Sequence, residues 1–176
     1  MLQALENLAQ TLKNALMDLG LPLTVRTAIE QWEGSVTPQV EVIISVGRDP
    51  NSEAGPVADI YLYPGREQTC GVEVEVTLPA HTVSHLQPAE LWARAKEIAG
   101  VDVGISGIQR YFRGESGQTV HIQLESHFII DYWFEVEVPD EGEASDEEWD
   151  DFAAEVSAIA QGVAGLLALA DEVGGR

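Results

Sequence analysis

Apolar and polar residues alternate almost without a break from Val120 to Val138. The even-numbered positions, running from Val120 through Phe128, Ile130 and Tyr132 to Val138, form an apolar face interrupted by Ser126. The odd-numbered ones, His121, Gln123, Glu125, His127, Ile129, Asp131, Trp133, Glu135 and Glu137, form a face that is polar except at Ile129 and Trp133. A period of two is that of a β-strand. Drawn straight, this strand would span about 60 Å at roughly 3.3 Å per residue, against a diameter of about 40 Å for a compact chain of this size. The expectation is a strand that bends, carries a bulge or reaches another subunit, with a break near Ser126 and His127.

The remaining elements follow from the same kind of pattern. Leu2, Leu5, Leu8, Leu12, Leu16 and Leu19 recur at helical spacing, and Gly20 and Pro22 end that helix. Strands are expected in Leu21–Ile29, in Val40–Val46, in Ala58–Tyr63 and in Val72–Leu78, where Glu73 and Glu75 share the wet face. The polar loop from Arg48 to Pro56 is a surface segment of the kind that often binds. A second helix runs from Pro88 to Ala99, with Gly100 just past its end. Val101–Phe112, interrupted by Gly104 and Gly107, pairs with the long strand as a hairpin, its glycines marking a bulge or a close approach.

Ser145 and Glu148 form a capping box for a last helix, in which Trp149, Phe152, Val156, Ile159, Val163, Leu166 and Ala170 follow at alternating intervals of three and four. Ala153, Ala154, Ala158, Gly162, Gly165 and Ala168 lie opposite that seam. With so little polar face the second half must be buried on two sides, either between the sheet and the first helix or also against a second subunit. The whole predicts one α+β domain over residues 1–176. Its antiparallel sheet has about five to six strands, one of them very long and C-terminal, and its N-terminal, central and C-terminal helices lie mainly on one face. An acidic linker at residues 139–145 leads to the last helix.

Composition sharpens the picture. A chain of 176 residues that is 45% hydrophobic can bury a core without staples. Cys70 is the only cysteine, which excludes a disulfide framework and a CxxC metal knuckle. No basic and apolar leader follows Met1, and the uncharged run from Val156 to Ala170 is too short to span a bilayer. A cytoplasmic or virion location is therefore expected, without secretion by a signal peptide and without a membrane. Nine Lys and Arg against thirty Asp and Glu give a formal charge of −21. Such a balance argues against direct nucleic-acid binding. It suits a surface that repels its own copies, a docking face for a basic partner, or a mimic of nucleic acid.

Candidate chemistry is thin. His121, Glu125 and His127 are metal-ligand types on one strand face, but the outer pair would stand about 20 Å apart, so at most two could share an ion. His81 and His85 are four apart in HTVSH, which lacks the glutamate of HExxH. Glu73, Glu75, Glu135 and Glu137 could meet if their strands pair, although like charges directly opposite are costly. The carboxylates from Asp140 to Asp151 do not match an EF-hand loop; those from Asp146 onward suit the positive end of a helix. No GxSxG, phosphate loop or strand-linked GxGxxG is present. Ile129 and Trp133 form an apolar island on a polar face, which marks a contact.

These features point to a non-enzymatic protein-binding or assembly protein without a cofactor or metal. Self-association is expected through Ile129 and Trp133 of the long strand and Trp149, Phe152, Val156, Ile159, Val163 and Leu166 of the last helix. Asp140, Glu141, Glu143, Asp146, Glu147, Asp150 and Asp151 are the expected docking residues for a basic protein partner. The order of elements is similar to that of the small acidic chaperones of secretion systems and of the ring-forming tail-end proteins of bacteriophages. That resemblance covers most of the chain, rests on element order alone, and implies a chaperone or adaptor in one case and a virion component in the other. Two alternatives stand beside it: an acidic inhibitor or nucleic-acid mimic docking on a basic partner, and a metal-dependent enzyme using His121, Glu125 and His127.

Overall fold

A computed structural model of the chain describes residues 2–30, 39–47, 55–112 and 123–170, and within these the side chains of 30, 39, 108–112 and 123–126 are left undescribed. The described strands are β1 (Leu23–Glu30), β2 (Gln39–Gly47), β3 (Val57–Pro64), β4 (Thr69–Pro79), β5 (Gly104–Phe112) and β6 (Gln123–Glu137). They form one six-stranded antiparallel sheet in the order β1-β2-β3-β4-β6-β5. Helices α1 (Leu2–Asp18) and α3 (Asp146–Ala168) pack on one another and on β3 and β4, while α2 (Pro88–Ala99) packs on α3. The α+β class and the antiparallel sheet are as the alternation of residues requires.

Alternation decides which face is covered. Val42, Ile44 and Val46 of β2, Ala58, Ile60 and Leu62 of β3, Val72, Val74 and Val76 of β4 and Ile130 and Val136 of β6 are buried beneath the helices. The α1 stripe Leu5, Leu8, Leu12 and Leu16 is at most 1% exposed. Burying each such leucine stabilises the fold by roughly 1.5–3 kcal/mol. No polar or charged residue is buried among the described residues, so this core makes no electrostatic demand.

The helix ends follow the expected chemistry. Gly20 (φ 73°) and Gly100 (φ 71°) adopt the left-handed conformation that ends α1 and α2. Ser145 and Glu148 form the capping box of α3, and Gln87 with Glu90 forms a second one on α2 that the sequence pattern had not suggested.

Three expectations change. β6 is described over fifteen residues of the nineteen-residue alternating stretch: Val138 has left the ladder, and residues 120–122 lie outside those described. Ser126 and His127 pair one to one with Gln109 and Ile108, so there is no bulge there. The length of β6 is absorbed by stagger, because β5 pairs with residues 123–131 and β4 with residues 127–137. β5 also pairs without a bulge. Gly104 makes room for a side chain instead, since a β-carbon there would lie 2.8 Å from both carboxylate oxygens of Asp131.

The two-sided burial of α3 is met within the chain. α1 covers one flank, and on the other a β-carbon at Gly165 would lie 2.7 Å from Ile98 Cγ2 of α2. By length and composition α3 could cross a membrane, with a mean hydropathy of 1.2 in its most apolar stretch, of which 39% is buried in this fold. At the sheet margin, β1 has no neighbour beyond it among the described residues, and its Val25 and Ile29 are 44% and 73% exposed.

Gly162 gives a two-sided test of the α2–α3 contact. Its β-carbon would sit 3.5 Å from the Ile98 carbonyl oxygen and 3.9 Å from Ala99 Cα, which is ordinary contact. Gly162→Ala is expected to stabilise by about 0.5–1 kcal/mol through helix propensity, whereas Gly162→Leu drives a side chain into α2 and loses roughly 1–3 kcal/mol. Urea-unfolding midpoints of the two variants check both signs.

Candidate functional site: the open face of the sheet

The helices leave the other face of the sheet uncovered. Register places its residues in rows that no single strand reveals. One row crosses all six strands as Thr24, Ser45, Asp59, Glu75, Asp131 and Gly104. The next reads Arg26, Ile43, Tyr61, Glu73 and Trp133 across β1, β2, β3, β4 and β6. In a third, Tyr63, Gly71 and Glu135 are opposite one another.

Asp59, Glu75 and Asp131 thus stand directly across three adjacent strands. Like charges so placed destabilise a ladder. Their effect is visible on Glu75, whose carboxyl is held above its ordinary value first by partial burial and then by the charges of Asp59, Glu73 and Asp131. Ser45 donates a short hydrogen bond to Asp59 Oδ1, which relieves one end of the row.

Trp133 stands beside this row, 54% exposed, with Glu73 opposite and Asp131 and Glu135 two residues away on the same strand face. Its indole N–H donates to the hydroxyl of Tyr63, which fixes the ring on the sheet. Gly71 is what lets Tyr63 reach it: a β-carbon at that position would lie 2.1 Å from Cε2 of the Tyr63 ring. The Tyr63 hydroxyl is pushed above its ordinary value by burial, against the opposing effect of the Trp133 bond and with Glu73, Glu135 and Glu41 adding to the rise. It therefore stays a neutral phenol at physiological pH. Tyr61 shifts upward for the same leading reason, with Asp59 and Glu75 contributing. Between Arg26 and Tyr61, Ile43 is only 5% exposed although no helix covers it.

The sequence-derived site residues separate accordingly. Trp133 is on this face and exposed, and Ile129 is half-buried four residues away on the same face of β6. Phe152, Val156, Val163 and Leu166 are at most 4% exposed within the chain's own core, with Trp149 and Ile159 partly buried against it. A second subunit cannot reach the buried four while the fold is closed. The four strand glutamates do not face one another: Glu73 is across from Trp133, Glu75 from Asp131, Glu135 from Gly71 and Glu137 from Thr69.

The linker carboxylates are partly tied. Asp140 accepts from Gln68 Nε2 at 2.8 Å and from the Gly142 N–H at 2.9 Å, while Glu141 accepts from Gln3 at 2.6 Å and Asn7 at 3.2 Å. Asp146, Glu147 and Asp150 are exposed in the first turns of α3. Asp140, Glu143 and Asp151 line a 530 Å³ cleft together with Glu137, Glu148 and Glu155. There Glu155 is shifted upward by partial burial and by Glu137, whereas Glu148 is shifted downward by its hydrogen bonds from Ser145.

The metal-site expectation falls largely outside the described residues. His121 is not described, Glu125 is described only in its backbone pairing with Arg110, and half-buried His127 pairs with Pro79 and Ile108. Among the described residues no group of three or more His, Cys, Asp or Glu is placed to hold a metal ion. Most of the Arg48–Pro56 loop and all of Trp32 also lie outside them.

With this geometry the chain is an α+β protein with one face of its sheet open. No protein-family model, no curated protein and no solved structure matches it.

The carboxylate row predicts a pH dependence whose sign follows from the direction of the shift. Glu75 has a folded-state value above its unfolded one, so its contribution is most favourable at low pH and is lost as pH rises through the folded value. Glu75→Gln is therefore expected to raise the melting temperature at neutral pH, with the advantage vanishing below about pH 4, where the native glutamate is itself protonated. Thermal melts across that range read the difference.

Proposed function

We propose that this chain is a non-enzymatic protein-binding protein, an adaptor or chaperone-like module that docks a basic segment of a partner protein on the open face of its sheet. The observation that carries the reading is the row Asp59, Glu75 and Asp131 beside exposed Trp133. A sheet optimised for stability would not align three carboxylates across neighbouring strands, and local features that work against stability concentrate at functional sites. A cationic partner removes the repulsion and gains the aromatic contact.

Two further points support a hetero-partner over a second copy on this face. The apolar seam of α3, through which self-association was expected, is already occupied by the chain's own core. Two copies meeting face to face would set Asp59, Glu73, Glu75, Asp131 and Glu135 against their equivalents, and such like-charge juxtaposition opposes docking. The cleft containing Asp140, Glu143 and Asp151 adds negative potential at the end of β6, where it can steer a basic partner toward the sheet.

Isothermal titration with hexalysine tests the reading. Binding is expected at low salt, to weaken steeply as salt is raised, and to be lost in the triple variant Asp59→Asn, Glu75→Gln, Asp131→Asn. That variant is expected to retain its fold, since neutralisation relieves the repulsion and the amide oxygen introduced at position 59 can still accept from Ser45. Absence of binding to the native protein at low salt, or equal binding to the triple variant, sinks the idea.

A further inference from the structure

Resting on that reading, we propose that Trp133 is the anchor for one side chain of the partner, and that this side chain is an arginine stacked on the indole and paired with Glu73, Asp131 and Glu135. The ring is 54% exposed, yet its polar edge is already used in the hydrogen bond to Tyr63, so what it offers to a ligand is its π face. Rings presented this way attract cations, and a planar guanidinium satisfies the ring and a carboxylate together where an ammonium must choose. Glu73 is the direct cross-strand neighbour, with β-carbons about 5 Å apart, and Asp131 and Glu135 stand about 7 Å to either side along the strand. Three carboxylates therefore surround one aromatic ring.

The other half-exposed tryptophan shows what such a ring does when a cation is within reach. Trp92 on α2 is 45% exposed and carries Lys96 Nζ at 5.5 Å from its ring centroid, the same ammonium lying 2.5 Å from Asp102 Oδ1. Trp133 has an equivalent acidic surround, but the base in its own row, Arg26, is four strands away, about 19 Å at the spacing of neighbouring strands. Among the described residues no ion pair or cation–π contact of this chain engages Trp133, and a cation supplied by a partner would fill that place. Gly71 adds a second sign of construction. A central strand position gives up its side chain so that Tyr63 can lie across it and hold the indole.

The test compares hexa-arginine with hexalysine on the native protein and on Trp133→Leu, a substitution at a half-exposed position away from the core. The native protein is expected to bind hexa-arginine roughly two- to fivefold more tightly than hexalysine, the size of effect a cation–π contact at such a ring supports. Trp133→Leu should abolish that preference while keeping salt-sensitive binding of both peptides, and Glu73→Gln should weaken both. An arginine preference that persists in Trp133→Leu, or no preference in the native protein, overturns the anchor and leaves the basic-partner reading standing. If neither peptide binds the native protein, both fall together.

Discussion

Burial of one sheet face beneath α1 and α3 is the interaction on which everything else in this protein depends. The leucine stripe of α1 and the apolar seam of α3 meet the alternate residues of the central strands, and among the described residues no charged group interrupts the contact. Because the covered face is apolar apart from the phenol of Tyr132, the strands are held in register by packing, a one-residue slip being enough to turn every core side chain toward water. That tolerance-free register is what sets Asp59, Glu75 and Asp131 opposite one another and Trp133 opposite Glu73. Core and site are two faces of the same alternation.

The energetics divide in the same way. Apolar burial is non-directional and makes the fold insensitive to what the open face carries. The open face can then hold an arrangement that is locally unfavourable, partial burial and neighbouring carboxylates raising Glu75 without threatening the whole. Aromatic groups sit among these charges at fixed positions, Trp133 held by Tyr63 and Tyr63 admitted by Gly71. The face is charged and its aromatic groups are fixed in advance, so a partner of the proposed kind would not have to organise it on arrival.

Much of the fold was legible because its signals are periodic and local. The leucines of α1, the alternation in β2, β3, β4 and β6, the glycines that end two helices and the Ser145 capping box all speak through near neighbours. The site was less legible because it is a property of register. Glu73, Glu75, Glu135 and Glu137 were seen to share a kind of face, but the three carboxylates that meet come from β3, β4 and β6, and only strand pairing joins them. Trp133 could be singled out from one strand alone, since an indole breaks an otherwise polar alternation. The seam of α3 was read correctly as apolar, but a sequence does not say whose atoms cover it. Here the sheet and α1 do, while α2 closes the opposite side, where Gly165 meets Ile98.

The bare margin at β1 has a consequence of a different kind. An eight-residue outer strand with Val25 and Ile29 in water, no proline and no lysine is a template on which further strands can add. Within β1 only the charges of Arg26 and Glu30 oppose that addition. What opposes it is the charge of −21 carried by every copy, which any growing stack of sheets would have to crowd together. The carboxylates that mark the open face thereby also act as a colloidal defence for an edge they do not touch. Under the proposed docking their number would answer to two pressures at once, recognition at the centre of the sheet and dispersal at its rim.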